Sequence, residues 1–256
     1  MEDLQSGMSD AITPKETGVR VDLPRVSLVI PTLNGARNLP LLIPRLPAWV
    51  HEVVLVDGRS TDDTVMVSRA LMPNIKVVME TRRGKGAALR AGFAAATGDI
   101  IVILDADGSM DPNEIIMLVG ALTCGADLVK GSRFIQGGGT DDMTLFRMLG
   151  NWGLTKMVRI LYGASFSDLC YGYLAFWSRH AAALSPRTDG FEVETFLNVQ
   201  ALKIGLKILE IPSFESNRVF GESNLRAIPD GWRVLRTILR ERLTPPTPSA
   251  KPHQAA

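Results

Sequence analysis

The chain has 256 residues, 46% of them hydrophobic, which is enough to bury the core of one large α/β domain or two small ones. Its 28 basic and 27 acidic side chains leave a formal net charge of +1, which argues against the overall basic field of a nucleic-acid binder. Two cysteines and three histidines, without zinc spacing, argue against a disulfide framework or a zinc site, so a reducing compartment is expected.

The sequence lacks the run of roughly 20 apolar residues that a membrane span needs. The longest uncharged stretch in the apolar middle of the chain covers residues 115–126, and residues 1–20 are acidic and polar rather than signal-like. We therefore expect a cytoplasmic protein. Residues 1–24 have little hydrophobic periodicity and residues 244–256 are rich in proline, so both ends are predicted to be disordered tails.

Short β-branched runs alternate with helix-like stretches through the first half of the chain. Strands are predicted over Val26–Ile30, Val53–Val56, Ile75–Met79 and Ile100–Leu104, and helices over Thr61–Leu71 and Lys85–Thr97. Continuous apolar strands that alternate with helices predict an α/β fold whose mostly parallel sheet is covered on both faces. Ligands bind such sheets at the carboxyl ends of the strands, so the residues that follow each strand are the candidates for function.

The pattern is mixed after about residue 130. Helices are predicted over Met143–Tyr162 and Glu192–Lys203, and strands over Tyr171–Trp177 and Leu206–Ile211. This half of the chain is expected to form the second wall of a cleft.

Two carboxylates, Asp105 and Asp107, directly follow the apolar strand at 100–104. Their hard oxygen ligands suit Mg²⁺ or Mn²⁺ that bridges a diphosphate. Two charges at the end of a buried strand also need a partner, and a cation supplies one. The alternative interpretation is a pair of capping residues before the helix that begins near Asp111.

A second candidate anion site is the segment Thr81–Gly86, immediately before an alanine-rich helix. Its glycines let backbone amides approach a phosphate, and Lys85 at the helix N-terminus favours negative charge. The spacing is not that of a Walker A loop, and a solvated basic turn is the alternative. Asp57, at the end of the second strand, can accept hydrogen bonds from a base N–H or from ribose hydroxyls, whereas Asp62 is assigned to the start of the next helix.

The segments Val26–Asn34, Val56–Asp62, Arg83–Gly86 and Asp105–Asp107 resemble, in this order, the signatures of family 2 inverting glycosyltransferases with the GT-A fold. The dolichyl-phosphate mannosyltransferase-like enzymes are the most similar subgroup. The resemblance implies a Rossmann-like, mostly parallel sheet in a single domain over residues 25–243. A nucleotide-binding half would cover about 25–130 and a mixed acceptor half about 131–243.

The resemblance implies a nucleotide-sugar donor, either a UDP-sugar or a GDP-sugar, bound with Mg²⁺ or Mn²⁺. Asp105 and Asp107 would hold the ribose, the metal and the diphosphate. Arg133 and Arg218 lie in segments that resemble the family's G-S-R and R-x-x-G-x-S-K motifs, and they become phosphate-contact candidates. The remaining nucleotide-sugar candidates are Pro31, Thr32, Asn34, Asp57 and Lys85.

Three positions depart from the family's pattern. Gly58 replaces the second aspartate of D-D-G-S, and Ser109 stands where mannosyltransferase relatives commonly have a glutamine. Asn224 replaces the lysine of the last motif, which removes one cation from the expected acceptor site.

Transfer with inversion requires the nucleoside diphosphate to leave the anomeric carbon, and a metal on Asp107 with a nearby cation would stabilise that leaving group. A phosphate acceptor is already a nucleophilic anion, whereas a hydroxyl acceptor needs a carboxylate to take its proton. Asp168 is the first candidate for this base. Glu192 and Glu194 are further candidates. Their spacing places them on different faces of a helix, so we expect only one of them to reach the cleft, and we take Glu192 as the candidate.

The expected function is therefore metal-dependent transfer of a sugar to a polyprenyl-phosphate-type acceptor. The alternatives are transfer to a soluble hydroxyl acceptor and a non-catalytic nucleotide-sugar-binding protein. A nucleotidyltransferase is disfavoured because residues 31–37 supply no glycine-rich loop after the first strand.

The segment Ile228–Arg242 is predicted to form a basic amphipathic helix. Its apolar face would hold Ile228, Trp232, Leu235 and Leu239, beside a stripe of Arg233, Arg236 and Arg240. Such a helix is able to lie on an anionic membrane and bring the cleft to a lipid-phosphate acceptor. The alternative is that its apolar face docks on the catalytic domain.

Overall fold

A computed structural model describes residues 23–221 and 226–246. Most of the two predicted tails, and the departure at Asn224, lie outside the described residues. The described part of the chain contains nine strands: β1 (Val26–Thr32), β2 (Glu52–Asp57), β3 (Lys76–Met79), β4 (Ile100–Ile103), β5 (Leu128–Ser132), β6 (Gly139–Thr140), β7 (Leu174–Trp177), β8 (Ile208–Pro212) and β9 (Phe214–Glu215).

Seven of these strands form one sheet in the order β3-β2-β1-β4-β7-β5-β8, and β6 pairs with β9 in a separate two-stranded ribbon. Neighbours in the large sheet are parallel except at β7, which is antiparallel to both β4 and β5. The sheet is therefore mostly parallel with one reversed strand, in agreement with the predicted fold class.

The helices cover both faces of the sheet. They are α1 (Leu39–Leu42), α2 (Thr64–Leu71), α3 (Lys85–Ala95), α4 (Ile115–Thr123), α5 (Leu145–Tyr162), α6 (Ala181–Leu184), α7 (Val193–Lys203) and α8 (Ala227–Leu243). Alternate residues of the buried strands feed two cores because successive side chains of a strand point to opposite faces. Leu28 and Ile30 pack in the core that contains α1 and α4, and Val29 packs in the core that contains α3 and α7.

A third apolar cluster joins α5, α7 and α8 at the outside of the molecule. Val158 of α5 packs with Val199 of α7 and with Val234 and Ile238 of α8. Nine residues of α7 are buried, so α7 lies beneath the other two helices. The exposed apolar residues of α5 and α8 lie outside this shared cluster.

Six of the described elements lie outside the sequence predictions, and α4 and β5 are the longest of them. Helix α4 occupies most of the uncharged stretch 115–126, which is too short to distinguish a buried helix from a strand by periodicity. Strand β5 is fully buried between β7 and β8, but it contains the charged residue Lys130, so its sequence does not indicate a buried strand. Among the helices that the structure describes, none has the length and apolar character required to cross a bilayer.

Helix α3 approaches the sheet closely because Gly92 lacks a side chain. A Cβ atom at this position would overlap Cγ1 of Val29 and crowd Cγ2 of Val56, which lies 3.1 Å away. By contrast, a Cβ at Gly120 in α4 would meet no atom within 4 Å among the described residues. The two glycines are thus a matched pair of helical positions with opposite surroundings.

We expect Gly92→Ala to lower the free energy of unfolding by about 1–3 kcal/mol, because the added methyl group overpacks the contact between α3 and the sheet. Gly120→Ala is the control, and it should raise that free energy by about 0.5–1 kcal/mol through helix propensity. Urea unfolding of the two variants measures both changes. A stabilised Gly92→Ala protein would contradict the close approach.

Candidate active site

Strands β1 and β4 are neighbours in the sheet, and the chain runs outward from them in opposite directions. The crevice at the carboxyl ends of two such strands is where ligands bind in open α/β sheets. A cavity of about 550 Å³ lies at this edge. Its walls include eight of the predicted site residues: Pro31, Thr32, Asn34, Lys85, Asp105, Asp107, Arg133 and Arg218.

Asn34 ties the loop after β1 to the loop after β2. Its backbone has φ of 54°, a left-handed conformation that few non-glycine residues adopt. Its N–H donates to Ser60 Oγ at 2.8 Å, and its side-chain Oδ1 accepts from the Thr61 N–H at 2.8 Å. Asn34 therefore shapes the rim of the cavity through hydrogen bonds between two loops.

Asp57 lies at the end of β2 with 1% of its surface exposed. Its Oδ2 accepts a hydrogen bond from the Ser60 N–H at 3.0 Å, and its buried Oδ1 has no hydrogen-bond partner within the described residues. A buried carboxylate oxygen without a donor is costly, and an N–H group of a ligand would remove that cost. Asp57 itself is not in the cavity wall, although its neighbour Gly58 is.

Asp105 forms a buried ionic cluster with Lys85 and Glu194. Lys85 Nζ lies 2.6 Å from Asp105 Oδ1 and 2.7 Å from Glu194 Oε1. Burial opposes the lysine's charge, but the two carboxylates outweigh it and hold the pKa of Lys85 above its ordinary value. Burial also raises the pKa values of Asp105 and Glu194, which share this one ammonium group.

Asp107 belongs to a second group of paired charged side chains. Its Oδ1 accepts hydrogen bonds from the backbone N–H and the hydroxyl of Ser109, and its Oδ2 lies 3.5 Å from Arg218 Nη1. Arg218 also contacts Asp142 at 2.8 Å, and Asp142 lies 3.5 Å from Nη1 of Arg147. Arg218 therefore stands beside the carboxylate of Asp107, and Asp142 links Arg218 to Arg147.

The donor atoms suit a hard divalent cation. Asp105 and Asp107 both present carboxylate oxygens at the cavity wall, and Mg²⁺ or Mn²⁺ in such sites is held by one or two carboxylates together with substrate phosphates and water. Residues 23–221 and 226–246 hold no group of three or more His, Cys, Asp or Glu side chains arranged to bind a metal. The residues present fit a metal that binds together with a diphosphate.

The structure places Asp168 in a buried clamp and outside the cavity wall. Arg133 donates to Asp168 from Nε at 2.7 Å and from Nη2 at 2.9 Å, and it donates to Glu215 Oε2 from Nη1 at 2.9 Å. Asp168 also accepts from Asn151 Nδ2 at 3.0 Å. Burial opposes its ionisation, but Arg133 holds the pKa of Asp168 below its ordinary value. This geometry indicates a fixed ionic partner rather than a free base.

Glu192 and Glu194 separate as their spacing predicts. Glu194 lies in the cavity wall, whereas Glu192 precedes α7, stays outside that wall, and accepts a hydrogen bond from the Gly190 N–H at 3.3 Å. Periodicity alone does not indicate which of the two faces the cleft. The structure also brings Arg147 and Glu215 to the cavity. Arg147 lies near the start of the predicted helix at 143–162 and Glu215 follows the predicted strand at 206–211, and neither carries a sequence signal for the site.

The sequence model of Glycosyl transferase family 2 matches residues 27–182. The chain belongs to glycosyl transferase family 2. It is a glycosyltransferase, and its sheet and helices have the GT-A arrangement of the structures that it resembles.

Relatives over most of the chain have related names. A Mycobacterium bovis protein described as an uncharacterized glycosyltransferase is 44% identical over 222 residues, which is 82% of this chain and 97% of the relative. An undecaprenyl-phosphate mannosyltransferase of Micrococcus luteus is 32% identical over 213 residues, 78% of this chain and 87% of the relative. These similarities confirm the predicted family and its dolichyl-phosphate mannosyltransferase-like subgroup.

A solved structure also matches the fold. Glucosyl-3-phosphoglycerate synthase from Mycobacterium tuberculosis, in complex with Mn²⁺, UDP-glucose and phosphoglyceric acid, superposes with a TM-score of 0.70 and 26% sequence identity. The match covers 88% of this chain and 82% of that one.

We expect Asp168→Asn to lower the free energy of unfolding by about 3 kcal/mol at neutral pH, because it breaks a buried ion pair. Since the folded-state pKa of Asp168 is below the value of an unfolded aspartate, this stabilisation is complete above about pH 4 and is lost as the pH falls through the folded-state pKa. Urea unfolding at neutral pH and at about pH 3.5 tests the size and direction of the effect.

Asp99→Asn is the control, because it removes a carboxylate from an exposed pair with Arg25 and should cost less than about 1 kcal/mol. An Asp168→Asn protein with wild-type stability and no transferase activity would instead favour a direct chemical role for Asp168.

Proposed function

We propose that this family 2 enzyme transfers a sugar, with inversion and in the presence of a divalent metal, from a UDP- or GDP-sugar to a polyprenyl phosphate. The observation that carries the proposal is the pair of arginines in the cavity wall, Arg147 and Arg218, of which Arg218 lies beside Asp107. Arginine recognises phosphate through several N–H donors at once, so this wall suits an anionic acceptor.

The relatives support the same acceptor class. Besides the Micrococcus luteus enzyme, a polyprenol monophosphomannose synthase of Mycolicibacterium smegmatis is 31% identical over 217 residues, 78% of this chain and 81% of the relative. The names of both proteins refer to lipid-linked phosphate acceptors.

We assign the donor to the side of the cavity formed by the loops after β1, β2 and β4. Asp57 would accept an N–H of the base through its unpartnered Oδ1, and Pro31, Thr32 and Asn34 would form the surrounding wall. Asp105 and Asp107 would hold the metal, Mg²⁺ or Mn²⁺, which when bound neutralises charge on the leaving diphosphate. Arg218, already beside Asp107, is positioned to add a second positive charge there.

An acceptor phosphate needs no strong base, because it is a nucleophilic anion at neutral pH. The carboxylates in and near the cavity are consistent with an acceptor that needs no base. Arg133 pairs with Asp168, and Lys85 contacts Glu194, so each of these carboxylates has a cationic partner that lowers its tendency to take a proton. Arg147 would hold the acceptor phosphate near the anomeric carbon and screen its repulsion from the diphosphate.

A soluble acceptor is the second candidate. The structure of glucosyl-3-phosphoglycerate synthase contains phosphoglyceric acid, an acceptor that carries both a carboxylate and a phosphate, and arginines would bind this molecule as well. Transfer to its hydroxyl would require a base, and Glu194 is the carboxylate that lines this part of the cavity.

The exposed surfaces of α8 favour the lipid acceptor. The apolar residues Ile228 and Trp232 are 75% and 69% exposed, so they point away from the domain. The opposite face of α8 packs inward, where buried Glu241 pairs with Lys203 at 2.7 Å and with Arg187 at 3.1 Å. The arrangement supports a membrane-facing helix over the alternative in which its apolar face docks on the domain.

Helix α5, which packs with α8 in the same outer cluster, also has exposed apolar residues. Its exposed large apolar residues are Leu145, Phe146, Leu149, Trp152 and Ile160. Lys156 lies over the Trp152 ring, 5.0 Å from its centroid. Apolar residues that insert between headgroups, with cations beside them, fit an anionic membrane surface. We therefore propose a peripheral location at the inner face of the membrane, within the cytoplasm.

The reaction predicts a requirement for Asp107. With Mn²⁺ or Mg²⁺, the wild-type enzyme should transfer sugar from one of a panel of UDP- and GDP-sugars to a polyprenyl phosphate. Asp107→Ala should lose about 100-fold or more of kcat/KM, because a charge that stabilises the leaving group is lost, while its circular dichroism spectrum stays unchanged. Product analysis by mass spectrometry gives the readout.

Phosphoglyceric acid is the comparison acceptor. Transfer to it with no transfer to polyprenyl phosphate would replace the first candidate by the second. Near-wild-type activity of folded Asp107→Ala would remove Asp107 from the proposed site.

Membrane binding gives an independent prediction. Vesicles that contain anionic lipid should sediment the wild-type protein at low salt, and binding should weaken as salt increases. Replacing Arg233, Arg236 and Arg240 with glutamine should reduce the bound fraction, because α8 loses three positive charges near the lipid surface.

A matched control replaces Arg45, Arg69 and Arg83 with glutamine, which changes the net charge equally but leaves α5 and α8 intact. The control should sediment like the wild type. If wild type and both variants remain in the supernatant, the proposed location is wrong.

A further inference from the structure

Lys85 connects the two halves of the cavity. It is the first residue of α3, on the side assigned to the donor, and its Nζ lies 2.6 Å from Asp105 Oδ1 and 2.8 Å from Asp105 Oδ2. The same Nζ lies 2.7 Å from Oε1 of Glu194, in the first turn of α7 on the acceptor side. The side chains of Lys85 and Glu194 are each 10% exposed.

The backbone around this contact is fixed by close packing. The turn at 84–86 lies directly on the turn at 188–189, since a Cβ at either Gly84 or Gly86 would overlap backbone atoms of that second turn. The Gly86 N–H donates to the Asp189 carbonyl at 2.9 Å, and Arg90 reaches both the Pro186 carbonyl and Asp189 at 2.6 Å. Helices α3 and α7 therefore hold Lys85 and Glu194 at a set distance.

Gly172 leaves the room that the contact needs. A Cβ atom at this position would lie 2.9 Å from Lys85 Nζ and 3.2 Å from Glu194 Oε1. These separations are shorter than ordinary van der Waals contact, so any side chain at 172 would displace the ammonium group or the carboxylate.

One ammonium group thus serves two carboxylates, so the cluster of Lys85, Asp105 and Glu194 contains one more carboxylate than it has cations. We propose that Glu194 is a positioning residue: by holding part of the Lys85 charge, it leaves Asp105 negative enough to bind a divalent metal with the donor diphosphate. This inference rests on the proposed donor chemistry and is independent of the acceptor.

The proposal predicts opposite effects on two kinds of nucleotide binding. When Glu194 loses its charge, Lys85 neutralises Asp105 more completely, so the metal complex of a nucleotide should bind less well. The nucleotide without metal should bind equally well or better, because the excess negative charge that repels its diphosphate is gone. A residue that merely supported the fold would weaken both kinds of binding together.

The test measures the affinity of UDP and GDP by calorimetry, each with Mn²⁺ and each with chelator, for the wild type and for Glu194→Gln. We expect the variant to bind the Mn²⁺ nucleotide about tenfold more weakly and the metal-free nucleotide no more weakly than the wild type does. Glutamine keeps the size of the side chain and removes its charge.

Two further variants test whether Glu194 acts through Lys85 and whether the loss of an unrelated buried charge changes nucleotide affinity. In a Lys85→Met protein, adding Glu194→Gln should produce no further change in affinity, because the residue through which Glu194 acts is absent. Glu241→Gln neutralises another buried carboxylate that two cations share, on α8 and away from the cavity. It should lower thermal stability while both affinities keep their wild-type values.

The outcomes separate this inference from the proposed function. If the wild type binds neither UDP nor GDP with Mn²⁺, the proposed donor chemistry fails. If the wild type binds one of them and Glu194→Gln changes both affinities by less than about twofold, or lowers both equally, the positioning role is overturned. Should Glu194→Gln not fold, Glu194→Asp withdraws the carboxylate from Lys85 Nζ by about one methylene without changing a charge, and wild-type affinities in that folded variant would equally overturn the positioning role.

Discussion

Carboxylates in and behind the cavity wall are paired with cations that come from other elements of the fold, and the arrangement of the site depends on this pairing. Ionised groups removed from water are strongly destabilising unless an opposite charge and hydrogen bonds compensate them. Asp105 obtains its cation from α3, and Asp168 obtains Arg133 from the end of β5. Because the partners are distant in sequence, the site assembles only when the sheet and its covering helices have assembled.

The same pairing divides the cavity into two chemically different sides. Around the end of β4, carboxylates exceed cations, which suits a metal and the polar groups of a nucleotide. Across the cavity, Arg147 and Arg218 share Asp142, which leaves positive charge available for an anion. Helix α5 carries Arg147 at its inner end and exposed apolar residues along its outer face, so one helix connects the proposed phosphate site with the proposed membrane surface.

Local sequence signals predicted most strands of the donor half of the fold, although they missed α1 and α4. Strands β1, β2 and β4 are continuous apolar runs, and the polar residues after them are recognisable because a buried parallel strand otherwise contains none. The spacing of Glu192 and Glu194 predicted that the two side chains point in different directions, but it did not indicate which of them lies in the cavity wall. Strand β5 was not predicted, because Lys130 is a charged residue that only contacts with residues far away in the chain bury completely. From the sequence, Asp168 is assigned to a base and Arg133 to a phosphate contact. The sequence does not show that these two side chains pair with each other.

The sequence by itself determined the family, the order of the strands along the chain and the residues at the strand ends, since these follow from short-range patterns of polarity and from motifs in a fixed order. It also determined that α8 is amphipathic. Only the tertiary structure decided which face of α8 is exposed, which glutamate meets Lys85 and which carboxylate Arg133 holds. The physical reason is that burial and ion pairing depend on groups brought together by packing, and in this chain Lys85 and Glu194 are separated by more than a hundred residues.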